Sequence, residues 1–97
     1  MKLEDLKGFT HCFAFQTIAG GNYGVFKKSK FLAAVHLDAD EVILIINRKK
    51  KLIIYKHPKT ILGEKILGIS LEAFTIGVLK EFEKWEKTQG HASAAGY

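Results

Sequence analysis

Ninety-seven residues make one domain's worth of chain, and 47% hydrophobic against 26% charged suits a globular protein and excludes a disordered tail. The single cysteine, Cys12, excludes an intramolecular disulfide framework and a cysteine-rich zinc site, and a chain of this size folds around one core without such staples. A formal charge of +5 is compatible with plain solubility, nucleic acid, a phosphorylated ligand or an anionic membrane face.

Residues 1–8 are polar and mixed in charge, without the apolar run of a secretory signal. The longest apolar stretch, residues 42–46, falls far short of the roughly 20 residues needed to cross a bilayer. The expectation is a soluble cytoplasmic protein with a reduced thiol. Residues 9–18 are aromatic and β-favouring, and alternation places Phe9, His11, Phe13 and Phe15 on one face of a strand, with Thr10, Cys12, Ala14 and Gln16 on the other. Ala19-Gly20-Gly21-Asn22 supplies turn chemistry, and residues 23–28 read as the return strand of a hairpin. Residues 29–37 fit either a strand or a helical face, and the strand is preferred.

Asp38-Ala39-Asp40 is a turn. Val42-Ile43-Leu44-Ile45-Ile46, apolar on both faces, predicts a central buried strand. Asn47-Arg48-Lys49-Lys50 connects it to Leu52-Ile53-Ile54-Tyr55, a strand that Pro58 terminates. Ile61-Leu62-Gly63 and Ile66-Leu67-Gly68 suggest a further hairpin or irregular edge. Leu71, Phe74, Val78, Leu79, Phe82 and Trp85 recur at helical spacing, with Ser70 as N-cap and Gly90 as the stop. The expected fold is α+β: an antiparallel β-meander of about five strands packed against one C-terminal amphipathic helix, in a single domain over residues 1–89 with a flexible tail at 90–97.

The charge is uneven. Residues 22–65 carry ten Lys or Arg against four Asp or Glu, whereas the remainder carries five against six. The basic residues cluster in three connections: Lys27, Lys28 and Lys30; Arg48, Lys49, Lys50 and Lys51; Lys56 and Lys59. Lysine-rich turns keep β proteins soluble and guard their edges. If the clusters converge they form an anion-binding surface for nucleic acid or a phosphorylated ligand. With fourteen lysines to one arginine, base-specific reading is disfavoured. Tyr23 and Tyr55 could stack on bases, but tyrosines beside apolar strand residues more often pack.

Asp38, Asp40 and Glu41 form the one close acidic cluster, which reads as turn-forming aspartate because no glycine-centred calcium loop accompanies it. His11, His36, His57 and His91 lack metal spacing, and Cys12 cannot use His11 as a base because adjacent strand residues point to opposite faces. No catalytic residues, metal or cofactor are expected.

Gln16-Thr17-Ile18-Ala19-Gly20, continuing to Tyr23, resembles the Q-x-V-x-G hairpin loop that cystatins wedge into papain-like proteases. The likeness spans about eight residues and lacks that family's preceding long helix and its Pro-Trp hairpin. It implies a second reading, a compact inhibitor or immunity-type protein docking through Gln16, Ile18, Gly20, Asn22 and Tyr23 or through a sheet edge. A meander closed by a tryptophan-bearing helix is also similar to pleckstrin-homology-like domains, in architecture alone. The primary expectation is a small non-catalytic binding protein whose lysine-rich turns engage an anion. Self-association through an exposed strand edge is compatible with both readings.

Overall fold

Each apolar run that alternates, or that is apolar throughout, becomes a strand, and short polar turns between them force consecutive strands to pair. A computed structural model of the chain describes residues 1–17, 21–58 and 70–94, with side chains through Gln89. Strands β1 (Thr10–Gln16), β2 (Asn22–Lys28), β3 (Phe31–His36), β4 (Glu41–Asn47) and β5 (Leu52–Lys56) form one antiparallel sheet in the order β1-β2-β3-β4-β5. Helix α1 (Leu71–Ala94) closes one face. The α+β meander with a C-terminal helix is therefore the fold, and residues 29–37 supply a strand. The paired hydrophobic triplets at residues 61–68 lie outside the described residues.

The turns hold their geometry with residues in the left-handed region: Ser29 (φ 54°), Asp40 (φ 52°) and Lys51 (φ 55°). Aspartate tolerates this conformation better than most L-residues, whereas lysine has no local hydrogen bond to offset it. The consequence is a little strain in the β4–β5 connection.

Alternation sorts the core into two layers. Facing α1 are Tyr23, Val25, Leu32, Ala34, Ile43, Leu44 and Ile46, packed against Phe74, Val78 and Phe82. The opposite layer holds Ala33, Val35, Val42 and Ile45, covered by Leu6 with Leu3 and Phe9 from the N-terminal segment. That segment includes a 3-10 turn at Leu3–Asp5 and is tied down at its start, where the Val42 N–H donates to the Met1 carbonyl at 2.9 Å. Thus β4 is buried on both sides, as its composition requires, although it is fourth in order and not the middle strand.

Two register shifts matter for the faces. In β1 the partners step from His11↔Phe26 to Phe13↔Val25, leaving Cys12 as the extra residue. The bulge breaks the expected alternation: Cys12, Phe13 and Phe15 all pack toward α1, while His11 turns to the other side and meets the Phe26 ring edge-on at 5.1 Å. In β4 the step from Ala34↔Leu44 to Val35↔Val42 leaves Ile43 extra, so Ile43 and Leu44 both join the helix-side layer.

The helix begins where the sequence marks it, with the Ala73 N–H donating to Ser70 Oγ at 3.1 Å. It does not stop at Gly90 but continues to Ala94. A helical glycine costs about 1 kcal/mol relative to alanine, too little to end a helix of this length. Its aromatic side is a chain of ring contacts: Phe74 against Tyr23 at 5.2 Å and Phe15 at 5.9 Å, Phe82 against Trp85 at 5.6 Å, and Trp85 against Phe13 at 6.4 Å. Each buried phenylalanine contributes about 1.5–3 kcal/mol through area removed from water. No helix among the described residues is long and apolar enough to cross a membrane.

Candidate functional site: the two ends of the sheet

An up-and-down meander sends alternate turns to opposite ends. The β2–β3 and β4–β5 turns share one end, where the Arg48 N–H donates to the Lys30 carbonyl at 2.8 Å. Two of the three basic clusters, Lys27 to Lys30 and Arg48 to Lys51, are thereby brought together. Lys56, at the far end of β5, is at the opposite end of the sheet, and Lys59 lies outside the described residues.

The gathered cations are not equivalent. The Arg48 guanidinium sits 4.9 Å from the centre of the Phe82 ring, pairs with Glu86 through Nη1 at 3.0 Å, and donates from Nη2 to the Ser29 carbonyl at 3.4 Å. Its buried Nε has no hydrogen-bond partner. Arg48 therefore fastens both turns to α1, a structural role that Lys49 and Lys50 beside it do not share. Lys27 Nζ lies 5.9 Å from the same ring, and Lys30 Nζ is 5.6 Å from the Phe31 ring. Lys28 extends over Gly8, whose φ of 82° lets the chain turn into β1, and its Nζ donates to the Lys7 carbonyl at 3.3 Å. Lys49, Lys50 and Lys51 are exposed. Below the turn, Arg48, Lys51, Lys80 and Glu83 rim a groove of about 380 Å³ floored by Ile76, Leu79 and Phe82.

At the other end Asp38, Asp40 and Glu41 each have a partner. Asp38 accepts from the Asn22 side chain at 3.1 Å and from its backbone N–H at 3.2 Å, with His36 Nε2 at 3.7 Å. The Asn22 side chain in turn accepts from Gln16 Nε2 at 2.8 Å. These bonds from Asn22 hold the Asp38 carboxyl below the ordinary carboxylate range, with His36 adding to the effect. Asp40 accepts from the Leu3 N–H at 3.2 Å, and Glu41 lies 3.5 Å from His57. The three acids thus face three different partners, and among the described residues no group of three His, Cys, Asp or Glu stands in metal-holding geometry.

Of the residues read as a docking tip, Gln16 and Asn22 belong to this network, and Ile18 and Gly20 lie outside the described residues. Tyr23 is fully buried, stacked on His36 at 5.0 Å and Phe15 at 5.6 Å. It anchors the core and offers nothing to a partner or a base, because the strand period turns it under α1. Tyr55 is half-buried on the opposite layer, where its hydroxyl lies 3.5 Å from the Met1 amino group. Cys12 and His36 belong to opposite ends of the sheet, and burial pushes the Cys12 thiol above its ordinary value against the pull of Lys27 and Arg48. A protonated thiol is a poor nucleophile.

Comparison of the chain with family models, with curated proteins and with solved structures returns no match.

Proposed function

We propose that the protein binds a phosphate-bearing polyanion, the backbone of a nucleic acid, at the sheet end carrying the β2–β3 and β4–β5 turns. The observation that carries this reading is the convergence of the two lysine clusters on neighbouring hairpins. Their centres are two strand spacings apart, roughly 10 Å. Lys28, Lys30, Lys49 and Lys50 are strung along the turns instead of closing on a point, which suits an extended chain of phosphates better than a compact phosphorylated ligand. Lysine contacts are sequence-independent, so no base preference is expected.

The test is fluorescence anisotropy with a labelled 20-nucleotide single strand of mixed sequence, titrated at several salt concentrations. The expected slope of log affinity against log salt falls by about 0.7 for each phosphate contact removed, and a Lys28→Ala/Lys30→Ala/Lys49→Ala/Lys50→Ala variant loses most of the salt dependence. Affinity that ignores salt, or a quadruple variant that binds as the parent does, overturns the reading.

A further inference from the structure

The sheet has two edges of opposite character. On β1 the exposed residues are Thr10, His11, Ala14 and Gln16. On β5 three consecutive aliphatic residues are in water, Leu52 at 56%, Ile53 at 38% and Ile54 at 54% exposure. Among the described residues no strand pairs with the outer side of β5. The register steps from Ile45↔Tyr55 to Ile46↔Ile53, so Ile54 is the extra residue of a bulge and stands out from the ladder. Beside it, Ile53, Ile54, Tyr55 and Lys56 shape a hollow of about 210 Å³, room for an aliphatic side chain. An apolar edge of this kind is a template for pairing, and proteins normally blunt it.

The flanking charges decide what pairs there. Exposed Lys51 and Lys56 stand at the two ends of the aliphatic run. If a second copy paired antiparallel about Ile53, with Leu52 opposite Tyr55 and the bulged Ile54 left out of the ladder in each copy, Lys51 of each copy would face Lys56 of the other, twice across the two-fold axis. Like charges directly opposite in a ladder are destabilising, so the arrangement disfavours self-pairing. A segment with an apolar centre and carboxylates at both ends satisfies the same lysines. We propose that β5 receives, as a sixth strand, an extended segment of a partner protein that is aliphatic in the middle and acidic on both flanks. Main-chain hydrogen bonds along the edge that no described strand occupies hold the segment, Leu52 and Ile54 cover its aliphatic side chains, and Lys51 and Lys56 set its composition. This surface is separate from the lysines assigned to polyanion binding, Lys28, Lys30, Lys49 and Lys50, so either can fail alone.

The probe is a fluorescein-labelled peptide, Asp-Glu-Val-Thr-Val-Thr-Val-Glu-Asp, compared with a version carrying lysine at both flanks and a version N-methylated at alternate amides. The expected result is at least tenfold tighter binding of the acidic peptide than of either control, with slower amide exchange across residues 52–56. A Leu52→Thr/Ile54→Thr variant, which changes exposed side chains and keeps strand propensity, is expected to lose at least tenfold, and the quadruple lysine variant above to bind as the parent does. Absence of binding at millimolar peptide, equal affinity for the two flank compositions, or unimpaired binding of the N-methylated peptide overturns the proposal. So does a dimer in sedimentation velocity that the Leu52→Thr/Ile54→Thr variant dissolves, because a second copy then holds the edge.

Discussion

The two ends of the sheet carry charge to different purposes. At the end formed by the β1–β2 and β3–β4 turns, Asp38, Asp40 and Glu41 are each matched to a donor from another segment, so charge there fixes the chain. At the end formed by the β2–β3 and β4–β5 turns, Arg48 is held by Glu86, the Phe82 ring and the Ser29 carbonyl, Lys28 reaches the Lys7 carbonyl, and Lys49, Lys50 and Lys51 are exposed. Charge that has a partner within the fold acts on stability, and charge without one is available to something outside it. Net charge, which adds the two kinds together, conceals the distinction.

Removing Phe82 attacks the basic end at its base. Phe82→Ala leaves a cavity under α1 and takes away the ring on which Arg48 and Lys27 rest, and is expected to cost about 3–5 kcal/mol in urea unfolding. Arg48→Ala keeps the ring but loses the ion pair and the cation–π contact, and about 1–2 kcal/mol is expected. By contrast, Lys49→Ala and Lys50→Ala are each expected to stay within about 0.5 kcal/mol of the parent, since neither side chain supports the fold. A lysine variant that unfolds the protein, or an Arg48 variant that leaves stability untouched, would break the distinction between the two kinds of charge.

Lys51→Gly sharpens it from another side. It relieves a left-handed φ, and after the greater freedom of glycine in the unfolded chain is subtracted, a gain of about 0.5–1 kcal/mol is expected, together with weaker binding of the acidic peptide. At the opposite end the readout is pH. Because the folded Asp38 carboxyl titrates below its unfolded value, its stabilisation is complete above the ordinary carboxylate range, about pH 4, and is lost as pH falls through the depressed value. Asn22→Ala removes the cause, so the stability lost on acidification below about pH 4 is expected to shrink and stability at neutral pH to fall by the same amount, whereas Lys49→Ala leaves the acid limb in place.

Much of the architecture was legible in the sequence, because period and turn chemistry act locally. The aliphatic run of β4 and the spacing of Phe74, Val78, Phe82 and Trp85 each name their element without reference to anything distant. What escaped was non-local. A bulge at Cys12 re-aims every residue before it, and nothing in residues 9–16 announces the extra residue. The cover supplied by Leu3, Leu6 and Phe9 lies in a segment too polar to attract notice. Its signal was on the other side of the contact, in a β4 that is apolar on both faces and so needs a second layer. Convergence of two lysine clusters follows from strand order, but the diversion of Arg48 to Glu86 and Phe82 depends on where α1 crosses. Composition also placed Tyr23 among surface candidates, since a tyrosine beside glycines reads the same whether a helix lies over it or not.

The strand order has a consequence for how the chain reaches this state. Every ladder in the sheet joins sequence neighbours, so each hairpin closes over a short loop and can form independently of the others. Two steps are long-range: the docking of residues 1–9 on β4, where Val42 bonds to Met1, and the seating of α1, which brings Trp85 to Phe13. Indole fluorescence therefore reports a long-range closure rather than hairpin formation, and amide exchange in the hairpins is expected to slow before the tryptophan signal reaches its native value.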